Sequence, residues 1–342
     1  MGILTAMVTF AIAALLAYCF SSPASRFYLL DHPNNRSLHT RATPRTGGVA
    51  VFIAILLGSI VFMFFSQEYP PHVIWLGVAV LLVGSVSFID DIAGLSPIYR
   101  LTTHLVATAL LLYAEFEPGP IELPGFVWEV SSMASMFISL LFILWMVNLY
   151  NFMDGMDGFA GGMAVIGFST FALFGAMAEY ELFSTLNMLV SSAAAGFLIF
   201  NFPTARIFLG DVGSSSLGLL AAAFSLWGAM EGIFPLWIAI LVFSPFIVDA
   251  TVTLLRRVLH RENIFHPHRT HYYQRLVQLG WGHRKTVLWE YGIMLACALT
   301  ALWVVSQPVM TQWLVIAAWV IMYIGFAWFV SQLERGTNHP DS

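Results

Sequence analysis

SLLFILWMVNLYNFMDGMDGFAGGMAVIGFSTFALFG, residues 139–175, decides how this chain is read. Two apolar runs flank a short polar centre that holds Asn148, Asn151, Asp154 and Asp157. Of the 342 residues, 59% are hydrophobic and only 10% are charged. A soluble domain is about a quarter charged and at most about half apolar, so a soluble fold of this length would lack polar surface. Apolar runs of about 17–25 residues, the length a helix needs to cross a bilayer, recur along the whole chain. The composition therefore predicts an all-α, polytopic integral membrane protein.

Working outward from that stretch gives eleven candidate spans, at 3–22, 46–66, 72–89, 101–116, 131–150, 157–178, 184–201, 213–230, 234–258, 286–306 and 310–331. All 14 basic residues fall in or beside the loops after odd-numbered spans or after the last span: Arg26, Arg36, Arg41, Arg45, Arg100, Arg206, Arg256, Arg257, Arg261, Arg269, Arg275, Arg284, Lys285 and Arg335. The even loops hold Glu68, Glu117, Glu122, Glu129, Glu179, Glu181 and Glu231 and no Lys or Arg. By the positive-inside rule this predicts an outside N-terminus, a cytoplasmic C-terminus and cytoplasmic loops at about 21–46, 90–100, 151–157, 202–212 and 259–285. The first segment lacks the basic start of a signal peptide and reads as a retained span. Cys19 and Cys297 both lie in apolar runs, which suggests neither a disulfide framework nor a thiolate metal site. Residues 1–342 read as one membrane-embedded domain, with no nucleic-acid partner indicated. The absence of an internal repeat counts against the alternative, a secondary transporter with a carboxylate ion site.

The chemistry-bearing residues gather on the predicted cytoplasmic side. FIDDIAGLSPIYRL carries Asp90, Asp91 and Arg100; NFPTARIFLGDVGSSSLG carries Arg206 and Asp211; the loop after span 9 carries His266, His268, Arg269 and His271. Carboxylates at a membrane boundary cost a few kcal/mol and call for a partner or a purpose. Five of them on one face call for a divalent cation or arginines. Oxygen donors suit Mg²⁺, which takes one or two carboxylates and bridges substrate phosphates. Gly210 and Gly213 around Asp211, and DGMDGFAGG before span 6, resemble helix starts that favour phosphate. No Walker lysine follows either of them. Structural roles stay open at several positions: Asp154 or Asp157 as N-cap of span 6, Asp211 as N-cap of span 8, Arg256 and Arg257 as topology determinants, His104 as a packed residue. Asp249 follows Pro245 inside span 9, where a broken helix is expected, and reads equally as structural or functional.

On these residues the chain resembles the polyprenyl-phosphate N-acetylhexosamine-1-phosphate transferases, the group that includes phospho-N-acetylmuramoyl-pentapeptide transferase. The resemblance runs from PNNRSLHTRATPRTGG to the His-containing loop. The paired Asp after the third span matches Asp90 and Asp91. The Asn-x-x-Asn-x-x-Asp-Gly-x-Asp-Gly motif matches Asn148, Asn151, Asp154 and Asp157, and Gly-Asp-x-Gly-Ser matches Asp211. The family's later histidines are missing: in HRTHYYQRL, His271 stays while Tyr273 and Gln274 take the following positions. ATPRTGG and HRTHYYQ look like the O-antigen-initiating branch, which uses 6-deoxy N-acetylated sugars.

The resemblance implies transfer of a sugar-1-phosphate from a UDP-N-acetylhexosamine to undecaprenyl or another polyprenyl phosphate in the bacterial cytoplasmic membrane, with release of UMP. It implies Mg²⁺, with Mn²⁺ as a substitute, held by Asp211 with Asp90 or Asp91. Asn148 and Asn151 are expected on the nucleotide, Asp154 on the metal shell or a basic partner, and Arg45, Arg100, Arg206 and His271 on phosphates. A homodimer is compatible with the family.

Overall fold

The computed structural model describes residues 1–33, 37–67, 69–263 and 268–337, so Arg36, Glu68 and His266 lie outside the described residues. Its long helices are α1 (Gly2–Phe20), α2 (Gly47–Ser66), α3 (Pro71–Ala93), α4 (Pro97–Tyr113), α5 (Ser132–Met153), α6 (Phe159–Met177), α7 (Glu181–Asn201) and α8 (Gly210–Met230). The chain continues through α9 (Leu236–Val242), α10 (Ser244–Leu259), the single turn α11 (Tyr272–Leu276), a π-helical turn at Val277–Trp281, α12 (Gly282–Val304) and α13 (Val309–Thr337). Sheet is confined to two short antiparallel pairs, β1 (Leu30–Asp31) with β2 (Thr43–Pro44), and β3 (Ile121–Leu123) with β4 (Phe126–Trp128).

Among the described residues, nine helical stretches are long and apolar enough to cross a membrane, and the protein is an all-α, multi-pass membrane protein. The other two expected spans differ from plan. The ninth is broken: α9 and α10 meet at Phe243 with a bend of 82°. Pro245 sits in the first turn of α10, where its missing N–H and fixed φ are tolerated but cannot continue the preceding helix. The fourth, α4, has 17 residues, at the short end for a crossing, and Pro97 starts it four residues earlier than the periodicity suggests.

Several expected loops are partly helix. Helix α3 runs past residue 89 and stops at Gly94, in the left-handed region at φ 65°, so Asp90 and Asp91 occupy its last turn. Helix α5 runs to Met153, leaving Asp154 as the residue that ends it. Helix α8 starts at Gly210, which puts Asp211 in its first turn rather than in a loop.

Helix α8 is the most enclosed element, with 94% of its apolar window buried. Small residues let its neighbours approach to backbone contact, as between helices in lipid. A Cβ on Gly48 of α2 would lie 2.2 Å from the Gly213 nitrogen, and one on Gly218 would lie 2.8 Å from the Met146 oxygen of α5. These contacts fix the ends of α2, α5 and α8 beside one another, and several of the candidate site side chains project from those ends.

Candidate active site

The start of α8 is the hub. The segment after β2 runs against it: Phe208 N–H donates to the Pro44 oxygen (2.7 Å), and Gly47 and Gly48 N–H donate to the Phe208 and Leu209 oxygens (2.9 and 2.6 Å). Gly210 has φ +72°, and a Cβ there would fall 2.3 Å from the Arg45 oxygen, so glycine is required at the crossing. Arg45 is thereby held over the end of α3, where it donates to the Asp91 backbone oxygen and places Nε 3.7 Å from the Asp91 carboxylate.

The two neighbouring aspartates of α3 do different work. The Asp91 side chain, only 3% exposed, accepts from the Asp211 N–H (3.4 Å) and the Val212 N–H (3.3 Å). It thus closes the free N–H groups of the α8 N-terminus, where a negative charge is favoured. Asp90 accepts from the Leu95 N–H (2.6 Å) and lies against the Asp211 carboxyl. The Arg100 Nη1 bridges them, at 3.4 Å from Asp90 and 3.6 Å from Asp211. Asn151 donates to Asp211 Oδ1 (2.7 Å) and Ser214 Oγ (3.0 Å). Asp154 follows directly, and its carboxyl is pushed well above the usual carboxylate range by burial and by the charges of Asp211 and Asp91.

Asp90, Asp91, Asp154, Asp211, Asn151, Arg45 and Arg100 therefore meet at one end of α3, α5 and α8. Asn148 is one helical turn away and donates to the Leu144 oxygen of its own helix (2.7 Å). Arg206 is not drawn in: its side chain is exposed and has no ion pair among the described residues. Asp157 does not cap α6. It accepts from the Ala205 N–H (3.0 Å) and faces His283 Nδ1 (3.1 Å), tying the segment after α7 to α12. The N-cap of α6 is Gly158, whose N–H goes to Asn201 (2.9 Å).

His271 reaches this end of the bundle by another route. Its ring stacks on Phe152 and Tyr273, and the Tyr273 hydroxyl donates to the Phe152 oxygen (3.1 Å) beside Asp154. The Asp249 carboxylate orients it, at 3.2 Å from His271 Nδ1, while accepting from Tyr272 and Tyr273 N–H (2.9 and 3.1 Å) and the Thr253 hydroxyl (3.1 Å). Burial holds the adjacent His268 imidazole down to about 4, so it is neutral at physiological pH and accepts from Thr270. Sequence alone left Asp249 undecided and passed over Asn201, whose Nδ2 also holds the Ile207 oxygen (2.9 Å). His271 lies 22 residues from Asp249 and Gly158 lies 43 from Asn201; the one available signal was an amide or carboxylate set in an apolar run.

Replacing Asp249 by Asn is expected to lower any activity that uses His271 by about 10–100-fold, as loss of an orienting carboxylate does elsewhere. The amide NH₂ can turn toward Nδ1 and favour the opposite tautomer. The ¹⁵N shifts of the His271 ring check this, since a merely structural change would leave the tautomer in place.

An all-oxygen donor pair backed by arginines can receive a hard cation that brings its own phosphate and water ligands. Among the described residues no three His, Cys, Asp or Glu side chains form a closed protein cage.

The same region of the chain resembles known proteins. Residues 72–229 match the model for glycosyl transferase family 4. The chain is similar to this family over that segment, somewhat under half of its length. The matched segment contains Asp90, Asp91, Arg100, Asn148, Asn151, Asp154 and Asp211, and excludes Arg45, Asp249 and His271. Among its relatives is a Bacillus subtilis protein named probable undecaprenyl-phosphate N-acetylglucosaminyl 1-phosphate transferase, 28% identical over 80% of this chain and 76% of that protein. A Mycobacterium tuberculosis decaprenyl-phosphate N-acetylglucosaminephosphotransferase is 27% identical over 96% of this chain and 89% of its own length. A Shouchella clausii phospho-N-acetylmuramoyl-pentapeptide-transferase is 28% identical over 74% and 81%. The family 4 segment and the cluster at the α3, α5 and α8 ends thus coincide.

Proposed function

We propose that this protein transfers an N-acetylhexosamine-1-phosphate from a UDP-sugar to a polyprenyl phosphate, releasing UMP. The observation that carries the reading is the convergence of Asp90, Asp211, Asn151 and Arg100, four separate sequence positions of the family 4 segment, on one end of α8. The names of the relatives support a polyprenyl phosphate acceptor and an N-acetylated sugar.

In this reaction an oxygen of the lipid phosphate attacks the sugar-bound phosphorus. The bond from that phosphorus to the bridging oxygen breaks, and the oxygen leaves with UMP. Catalysis of this kind rests on position and charge. Asp90 and Asp211 would hold Mg²⁺, which when bound supplies positive charge to the diphosphate. Arg100 is 41% exposed on its side chain and pairs loosely at 3.4–3.6 Å, so its guanidinium is free to exchange from carboxylate to phosphate. Asn151 fixes the Asp211 carboxylate, and Asp91 with Arg45 fixes the helix end that carries it. His271, aimed by Asp249, approaches from the α10–α12 side as a phosphate contact.

The partition of basic residues supports placing this end of the bundle on the cytoplasmic face of a bacterial cytoplasmic membrane, with the N-terminus outside. The acceptor's hydrocarbon would stay in the bilayer while its phosphate reaches the site. A role in starting O-antigen or another surface polysaccharide belongs to the same proposal, as does a homodimer. The donor is tested with purified protein, polyprenyl phosphate, Mg²⁺ and a panel of UDP-sugars, reading UMP. The motif resemblance puts 6-deoxy N-acetylated sugars first, and the relatives' names put N-acetylglucosamine first. Release with at least one of them is expected, and release with none from folded protein overturns the reading.

A further inference from the structure

Beside Asp249, α10, α12 and α13 line a cavity of about 260 Å³, the space of roughly nine water molecules. Pro245, Val248, Val252, Ile293, Val320 and Ile324 give it hydrocarbon walls, and Tyr272, Tyr323 and Phe326 give it aromatic ones. Two carboxyls face this space, Asp249 and Glu290.

Glu290 is 5% exposed and has no hydrogen bond or ion pair among the described residues. It sits eight residues into α12, about 12 Å along the axis of a helix apolar enough to cross a membrane. Asp249 is the charged group near enough to act on it. The basic residues over the Tyr272 ring pair with groups other than Glu290: Arg275 with Glu334, and Arg256 with the Thr270 oxygen (2.9 Å). An unpaired acid at this depth is costly and is a functional candidate by default.

We infer that this cavity binds a lipophilic ammonium, with its cationic head between the Glu290 and Asp249 carboxylates and its tail leaving along α13. The walls select this class. A hard inorganic cation needs about six oxygen ligands, and here the Tyr323 hydroxyl is already bonded to Ser244 (2.7 Å) while the remaining lining is hydrocarbon and ring. Aromatic faces beside carboxylates are the usual surroundings of an alkylammonium head. The way out is apolar too, because Ile324 is 65% exposed on the outer face of α13. Neither the family match nor the proposed transfer reaction assigns a ligand to this place, and the inference stands without that reaction.

The test uses the full chain in phosphatidylcholine nanodiscs with dodecyltrimethylammonium as probe and dodecanol and dodecyl sulfate as controls. The readout is the unfolding midpoint as a function of probe. A saturable rise with the ammonium alone is expected. Glu290→Gln should weaken its apparent affinity about tenfold or more, the usual scale for losing a charged contact, while UMP release without probe stays as in the parent. Ile324→Trp, on the lipid-exposed face, blocks the mouth without touching the acids and should weaken binding as well. An equal response in the parent and either variant, or the same rise with dodecanol or dodecyl sulfate, overturns the inference.

Discussion

Asp211→Asn is expected to lower UMP release by about 10³-fold while leaving the protein at least as stable to heat as the parent. The magnitude is that of removing one preorganised electrostatic group from a charge-stabilising site. The sign on stability comes from the geometry. The Asp211 carboxyl lies against Asp90 and within reach of the Asp91 and Asp154 carboxyls, with the Arg100 bridge as its own ion pair. A neutral side chain of the same shape keeps a hydrogen bond to Asn151 and relieves repulsion among like charges. Activity and stability therefore move in opposite directions, as at other sites whose function strains the fold. Assays of UMP and thermal unfolding on one preparation check both, and a parallel loss of the two would make Asp211 a structural residue.

Asp91→Ala carries the opposite signature. Its carboxylate is nearly out of solvent, takes two N–H groups at the start of α8 and faces Arg45. Truncation leaves those N–H groups without their acceptor and leaves the guanidinium only the Asp91 backbone oxygen. Breaking a buried pair costs about 3–5 kcal/mol; with Arg45 one-third exposed, about 2 kcal/mol is the expected loss. The variant should unfold earlier and lose activity because α8 is no longer held in place. Asp91→Asn, which retains one acceptor oxygen, should recover part of both. Full stability of Asp91→Ala together with complete inactivity would instead return Asp91 to the group of direct metal ligands. The paired aspartates read alike in sequence because nothing local separates them; the partner that does so, the α8 N-terminus, lies 120 residues away.

Much of the architecture was legible because it follows from solvent. Apolar runs of crossing length had to be helices. The cluster was legible as far as its members stood out as polar interruptions: Asp90, Asn151, Asp154 and Asp211 meet as expected. What stayed hidden depends on distant partners or on backbone detail. Asp157 looked like the cap of α6 by position, yet its carboxylate faces Ala205 and His283, and no pattern near residue 157 announces either. Arg206 fitted a phosphate contact by loop and charge, yet its side chain stands out in the open. Asp249 needed the break at Phe243 and the return of the chain at α11 before its partnership with His271 could be seen.

The central claim is that one end of α8 joins a sugar phosphate to a lipid phosphate. The most direct measurement counts both products at once: UMP in the aqueous phase, and sugar phosphate in the organic extract when a labelled UDP-N-acetylhexosamine meets polyprenyl phosphate and Mg²⁺. The account predicts one UMP for each labelled lipid, both lost on chelation of the metal and both lost in Asp211→Asn. Labelled lipid formed equally well by Asp211→Asn, or ion flux through liposomes with no UMP formed, would contradict it.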